Sequence, residues 1–211
     1  MRRPNPVEVT SNESLARQAR QGCKRSFAEL VARLQVPIWR YLRRRTASAE
    51  DAEDLTQEVF LRAYQNLHRY QQKWPFKSWL FTIAHRQSIN HYRRRVRMQQ
   101  VRVEQADFST DPALVVEVRE NRQRLWDLAA AMLTDSQWTS LWLFYVEEMS
   151  LDEISGVLEC SSAAIKALLY RARRKLANEW NKEEGRPQIN SMRASMVTGP
   201  VSQLKAGTDD D

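Results

Sequence analysis

Ser150-Leu151-Asp152-Glu153-Ile154-Ser155-Gly156-Val157-Leu158-Glu159-Cys160-Ser161-Ser162-Ala163-Ala164-Ile165-Lys166-Ala167-Leu168-Leu169 holds the pattern on which the fold turns. Ser150 with Glu153 three residues later is a capping box, in which hydroxyl and carboxylate satisfy backbone N–H groups reciprocally, so a helix opens there. Leu151, Ile154 and Leu158 give that helix an apolar face. Cys160-Ser161-Ser162 turns the chain, after which Ile165, Leu169, Ala172 and Leu176 recur at helical spacing. Two helices joined by a short turn near the end of a helical segment are the helix-turn-helix pattern, whose second helix enters a DNA major groove.

Upstream, Leu114, Val118, Leu125, Leu128 and Met132 form one helical stripe, and Thr134 with Gln137 caps another helix carrying Trp138, Leu141, Trp142 and Tyr145. Asp111 and Pro112 open this unit, since proline at a first helical position gives up only an N–H that has no intrahelical partner. Between Met98 and Thr110 periodicity is lost. The spacing therefore predicts a second domain over 113–180, preceded by a flexible linker over 99–112.

The first domain spans 13–98, behind a flexible lead over 1–12 that ends in Thr10-Ser11-Asn12-Glu13, read as a capping box. Phe27, Leu30, Val31, Leu34, Ile38, Tyr41 and Leu42 have helical spacing, with Pro37 expected to kink or break the helix. A helix from about Ser48 to Leu67 turns Ala52, Leu55, Val59 and Ala63 inward and stacks Glu50, Asp54 and Glu58 on another face. A third follows Pro75, with Phe76, Trp79, Leu80 and Ile83 inward, and ends in Tyr92-Arg93-Arg94-Arg95-Val96-Arg97. Beyond Trp180 the polar stretch 181–211 reads as a disordered tail. The fold class expected is all-α: two small helical domains joined by a flexible linker, the second with a helix-turn-helix.

Composition agrees with a helical chain. Among 211 residues only 5 are glycine and 7 proline, too few for collagen or a turn-rich sandwich. Cys23 and Cys160 stand alone and far apart, which excludes a disulfide scaffold and a CxxC zinc site and fits a reducing compartment. Met1-Arg2-Arg3-Pro4-Asn5-Pro6 has no apolar run behind it and no stretch approaches a membrane span, so neither export nor membrane insertion is expected and the setting is cytoplasmic. Charge is divided unevenly: residues 1–100 carry 20 Lys+Arg against 8 Asp+Glu, whereas residues 101–211 carry 13 against 18. A polyanion is the partner this asymmetry suggests for the first half.

Catalytic readings find no support. The chain has no phosphate-cradling GxxxxGK[ST], no HExxH and no GxSxG, and His68, His85 and His91 form no ligand set, so neither cofactor nor metal is expected. Neither cysteine has a positioned base, and packing is the better account of both. Binding chemistry is richer. From Tyr70 to Arg97 aromatic residues alternate with cations, as single-strand binding requires: rings stack on bases and cations neutralise phosphates. Phe76, Trp79 and Ile83 share core spacing, whereas Tyr70 and Trp74, in the loop before Pro75, are the candidates for exposure. The acidic stripe of Glu50, Asp54 and Glu58 is either a solvated face or a docking face for a basic partner, and periodicity does not choose between them.

Asp51-Ala52-Glu53-Asp54-Leu55-Thr56-Gln57-Glu58-Val59-Phe60-Leu61-Arg62-Ala63-Tyr64, then Phe76-Lys77-Ser78-Trp79-Leu80-Phe81-Thr82-Ile83-Ala84 and the basic helix end, resembles region 2 of bacterial sigma factors of the extracytoplasmic-function (ECF) group in the sigma-70 family. Ser150 to Ile154 and Tyr170-Arg171-Ala172-Arg173-Arg174-Lys175-Leu176 look like their region 4. The resemblance spans about residues 13–180. It implies a non-enzymatic factor that binds core RNA polymerase, directs it to promoter DNA and assists opening; an anti-sigma factor is a further partner class it admits. Asp54, Gln57 and Glu58 match the face that docks on the polymerase clamp helices. The loop from Leu67 to Pro75, with Tyr70 and Trp74, and the following helix with Arg86, Arg93 and Arg94 match the part that opens and reads the −10 element. Ser161 and Ser162 open the recognition helix, on which Lys166 and Arg171 match positions facing the −35 element. The family's usual Gly-Thr-Val-Lys-Ser-Arg is here Ala163-Ala164-Ile165-Lys166-Ala167-Leu168, and its Gly-Asp after the first helix is Gly22-Cys23. Fewer donors on the recognition helix imply a less strict −35 readout. A stand-alone helix-turn-helix regulator and a general single-strand or RNA binder are the rival readings; a regulator needs neither the acidic face nor the aromatic loop and usually dimerises on paired half-sites.

Overall fold

The computed structural model describes residues 10–99 and 117–184. Helices start where a short polar side chain meets a backbone N–H that has no carbonyl partner. Ser11 does so for α1 (Asn12–Arg20), its Oγ accepting from the Ser14 N–H at 3.2 Å. The cap thus lies one residue after the expected Thr10, and Glu13 is released from the capping box. Its carboxylate instead accepts from the Phe76 N–H, 3.1 Å away, at the start of α4 (Phe76–Gln99). Lys73-Trp74-Pro75 contains no Ser, Thr, Asp or Asn, so α4 draws its acceptor from α1.

α2 (Lys24–Arg43) runs unbroken through Pro37. The ring removes one N–H from the ladder, but Leu30, Leu34, Ile38 and Tyr41 lie fully or almost fully buried along one face, and their burial keeps the helix whole. Ser48 caps α3 (Ala49–Gln65) by accepting from the Asp51 N–H at 3.0 Å, and Ala52, Leu55, Val59 and Ala63 turn inward as expected. A 3₁₀ turn, Leu67–Arg69, leads to the loop before α4. Phe76, Leu80, Phe81 and Ala84 fill the space against α2 and α3, while Trp79 and Ile83 are only partly buried.

The second half comprises α5 (Glu117–Met132), α6 (Asp135–Tyr145), α7 (Leu151–Leu158) and α8 (Ser162–Glu184). Both expected capping boxes form, Thr134 with Gln137 and Ser150 with Glu153. α7 stops at Glu159, held at φ 54°, the left-handed position that closes a helix. Ile165, Leu169, Ala172 and Leu176 are buried along α8, as their spacing requires. Trp126, Trp138 and Trp142 make the centre, Trp138 and Trp142 stacked with centroids 5.2 Å apart. α4 reaches one residue into the expected linker, and α8 continues four residues beyond Trp180. The Asp111–Pro112 helix start, most of the linker, residues 1–9 and residues 185–211 lie outside the described residues.

The halves are packed together, α4 on α7 and Tyr41 of α2 on α6. Tyr41 is fully buried, its ring 5.8 Å from Trp138 and 6.5 Å from Trp142. Local periodicity carries no signal for such a contact.

Candidate functional site

Three exposed faces carry the residues singled out by sequence. On α3, Asp54 and Gln57 are exposed and Glu58 half-buried, all within little more than one turn. Glu58 accepts an ion pair from Arg62 at 2.6 Å, an i,i+4 contact worth about 0.3–0.5 kcal/mol at such exposure. Asp51, Asp54 and Glu58 form one wall of a groove whose other wall is Asn90, His91 and Arg94 of α4. Arg94, expected beside Arg93 on DNA, therefore faces the acidic stripe as well.

On the loop and α4 the outcome is divided. Tyr70, expected to be exposed, is 2% exposed, packed on Phe76 and Trp79 with centroids 5.3 and 5.4 Å away. Its hydroxyl donates to the Trp74 carbonyl at 2.9 Å, and burial pushes its pKa up to about 12. Tyr70 is thus a strut for the loop and presents no face to a base: the apolar cluster at the start of α4 outweighs the pull of a loop position toward solvent. Trp74 is 36% exposed, with the Lys73 ammonium 5.7 Å from its ring centroid. Arg86 and Arg93 are exposed. Arg86 is nonetheless ion-paired with Glu159 at the end of α7. Lys77 likewise reaches Glu147, 2.8 Å from the carboxylate and 2.9 Å from the backbone carbonyl.

On α8, Ser161 caps the helix by accepting from the Ala164 N–H at 3.2 Å. Ser162 donates to Asp152 of α7, which fixes the angle of the turn. Lys166 and Arg171 are exposed, the latter with its Nε donating to the Ala167 carbonyl at 3.3 Å. Tyr170 stands 59% exposed on the same helix, one turn beyond Lys166. Its position off the Ile165-Leu169-Ala172-Leu176 stripe was the sequence signal for that exposure.

Two residues between the faces had no such signal. Arg45 donates to Ser88 at 2.8 Å and Thr139 at 3.0 Å, pairs with Asp135, and lies 5.2 and 5.4 Å from the ring centroids of Tyr41 and Trp138. Glu153, the capping-box acid of α7, also accepts from Ser78 of α4 at 2.8 Å. Burial pushes its carboxyl pKa up, but the hydrogen bonds from Ser150 and Ser78 outweigh this and leave it lowered. Among the described residues no group of three or more His, Cys, Asp and Glu is placed to hold a metal, and no helix is long and apolar enough to cross a membrane.

Residues 30–98 match Sigma-70 region 2, and residues 123–176 match Sigma-70 region 4. The RNA polymerase sigma factor YlaC of Bacillus subtilis is 30% identical over 173 residues, 78% of this chain and 97% of the relative. The RNA polymerase sigma-H factor of Pseudomonas aeruginosa is also 30% identical, over 77% of this chain and 90% of its own. Among solved structures, CnrH in complex with the cytosolic domain of CnrY superposes with a TM-score of 0.62 at 24% identity, covering 82% of this chain and 99% of that one. The sigma factor RpoE of Bartonella quintana, in complex with the anti-sigma factor NepR, gives 0.60 at 21% identity over 72% and 94%. These likenesses concern the fold and agree on an all-helical, two-part architecture. With both sigma regions in order, and relatives matched over nearly their whole length, the chain belongs to the sigma-70 family, in its ECF group, and is an RNA polymerase sigma factor rather than a stand-alone regulator.

Proposed function

We propose that this sigma factor seats on core polymerase through Asp54, Gln57 and Glu58, meets the −10 region with Trp74, Arg86, Arg93 and Arg94, and meets the −35 region with Ser161, Lys166 and Arg171. The observation that carries this reading is the separation of exposed charge: acids on α3, cations with one exposed indole on the loop and α4, and cations on α8. Acidic side chains suit a basic protein surface and steer association, whereas cations around an exposed ring suit phosphates and an unpaired base. Tyr70 acts in this scheme by holding Trp74, and Ser162 by holding the turn. The working units are 13–98 and 113–180, connected by 99–112. The chain performs no catalysis of its own and works in the cytoplasm, with core polymerase and promoter DNA as partners. An anti-sigma protein, the partner class in the RpoE structure, is a further one.

On α8 the residues Ala163, Ala164 and Ala167 offer no side-chain donor, so −35 recognition rests on phosphate contacts, thymine methyls and DNA shape more than on base-edge hydrogen bonds. Run-off transcription with purified core polymerase of the source bacterium tests the whole reading. A discrete transcript that depends on the chain and on promoter sequence is expected, and its absence at saturating protein would overturn the proposal.

A further inference from the structure

The groove between α3 and α4 holds a buried group that neither the docking face nor the DNA face uses. Asp51, Asp54, Leu55 and Glu58 line it from α3, and Gln87, Asn90, His91 and Arg94 from α4, around a free volume of about 190 Å³. Gln87 is only 7% exposed, and its side-chain amide makes no hydrogen bond to any described residue. Burying an amide without a partner is unfavourable, so a ligand that satisfies it gains what the free chain forgoes. The Asp51 and Asp54 carboxylates likewise take no hydrogen bond or ion pair from the described residues, whereas Glu58 is held by Arg62.

The lining selects the chemistry. Three carboxylates against the single cation of Arg94 repel a phosphate and attract a cation. A metal ion does not suit the groove, because among the described residues no three His, Cys, Asp or Glu are placed to hold one. A guanidinium suits it: a planar fork of N–H donors without any acceptor, which carboxylate and amide oxygens meet from several directions at once. Leu55 is buried beside the acids and gives the methylene stem of such a group an apolar surface to lie on. We infer that this groove is a seat for one guanidinium group, held by Asp51 and Asp54 and read by Gln87. An arginine of a protein partner and a free guanidinium compound share that chemistry. The seat adds a second wall, from α4, to the proposed docking face of α3, and it rests on that reading only where core polymerase supplies the arginine.

The test uses the full chain without polymerase. N-acetylarginine amide and N-acetyllysine amide, equal in charge, are titrated while the Gln87 side-chain amide is followed by heteronuclear NMR. The arginine probe is expected to shift that resonance saturably and to bind about tenfold tighter than the lysine probe. Gln87→Leu is expected to weaken the arginine probe about tenfold and to raise the melting temperature of the free chain by about 2–4 °C, since it removes a buried amide that has no partner. A merely structural glutamine would lower that temperature when replaced. Asp51→Asn, on the other wall, is expected to weaken the arginine probe about fivefold, and it carries the comparison if Gln87→Leu does not fold. No saturable shift, equal binding of the two probes, or parent-like affinity in both variants would overturn the inference. Retention on immobilised core enzyme then separates the sources: Gln87→Leu reduces it where an arginine of the polymerase fills the seat and leaves it unchanged where a free guanidinium compound does. Glu58→Lys and promoter-dependent transcription score the docking of α3 without the probes, so failure of the seat and failure of that docking give different results.

Discussion

His85 makes the stability of this chain fall as pH falls, because burial disfavours its protonated ring. It sits on α4, 7% exposed, with Nδ1 3.0 Å from the Tyr41 hydroxyl and Nε2 4.0 Å from Asp135 of α6. Burial is the main cause that lowers its pKa to about 4, with Arg45 and Arg86 acting the same way; Asp135 and Glu159 oppose them without prevailing. In the unfolded or opened chain the ring regains water and titrates near its ordinary 6.5. Protonation therefore favours the unfolded or opened state. The native state has its full stability above about pH 6.5 and loses it as pH falls toward 4. Between about pH 8 and pH 5 the loss attributable to this ring is about 2 kcal/mol, from 1.36 kcal/mol per tenfold difference in proton affinity. Urea unfolding of the parent and of His85→Gln at both pH values isolates it. The parent should lose about 2 kcal/mol more than the variant, because the glutamine does not titrate. The ring proton of His85 in NMR should stay in its neutral position down to about pH 5. Titration of that resonance near 6.5, or equal losses in the two proteins, would refute the burial argument.

Glu58→Lys should reduce association with core polymerase, because it turns an attractive contact repulsive and also breaks the Arg62 pair; unchanged retention on immobilised core enzyme would remove α3 from the docking surface. Trp74→Ala should lower permanganate reactivity of promoter thymines in the polymerase complex while leaving duplex binding in place, since stacking is worth roughly 1–3 kcal/mol per base. Parent-like reactivity would leave Trp74 as packing for α7. Tyr70→Phe deletes the hydrogen bond to the Trp74 carbonyl and should cost about 1 kcal/mol of thermal stability, and an unshifted melt would deny it the role of strut. Lys166→Ala and Arg171→Ala should each weaken every −35 sequence alike and flatten the salt dependence; a loss confined to one base pair would instead reveal direct readout.

Much of the helical frame was legible because its signals are local. The Thr134 and Ser150 capping boxes and the Ile165-Leu169-Ala172-Leu176 stripe depend on residues three or four apart and appear where spacing places them. Tyr70 was misplaced because its burial depends on Phe76 and Trp79, which reach it only after the loop closes on α4. Glu13 leaves the expected capping box and Pro37 leaves its helix unbroken for related reasons: a distant helix start without its own cap claims the carboxylate, and a buried face outweighs a missing N–H. The union of the halves was not legible at all. Arg45 meets Thr139 across 94 positions, and no periodicity spans such a separation. Charge comes closest, since the opposite signs of the two parts match the pairs that Arg45, Lys77 and Arg86 of the first make with Asp135, Glu147 and Glu159 of the second.

The aromatic junction also gives the chain a spectroscopic signature. Trp126, Trp138 and Trp142 are in contact with one another, and Tyr41 covers the last two. Separation of the halves would take Tyr41 away and hydrate indoles that are at most 5% exposed, which moves tryptophan emission to longer wavelength. Trp74 lies on the opposite side of the contact, against Gly156, so it reports the same event from the loop. Unlabelled protein in a stopped-flow fluorimeter, mixed with core polymerase or DNA, would then yield the opening rate directly, and a Trp74→Phe variant would separate the loop's contribution from that of the α5–α6 cluster.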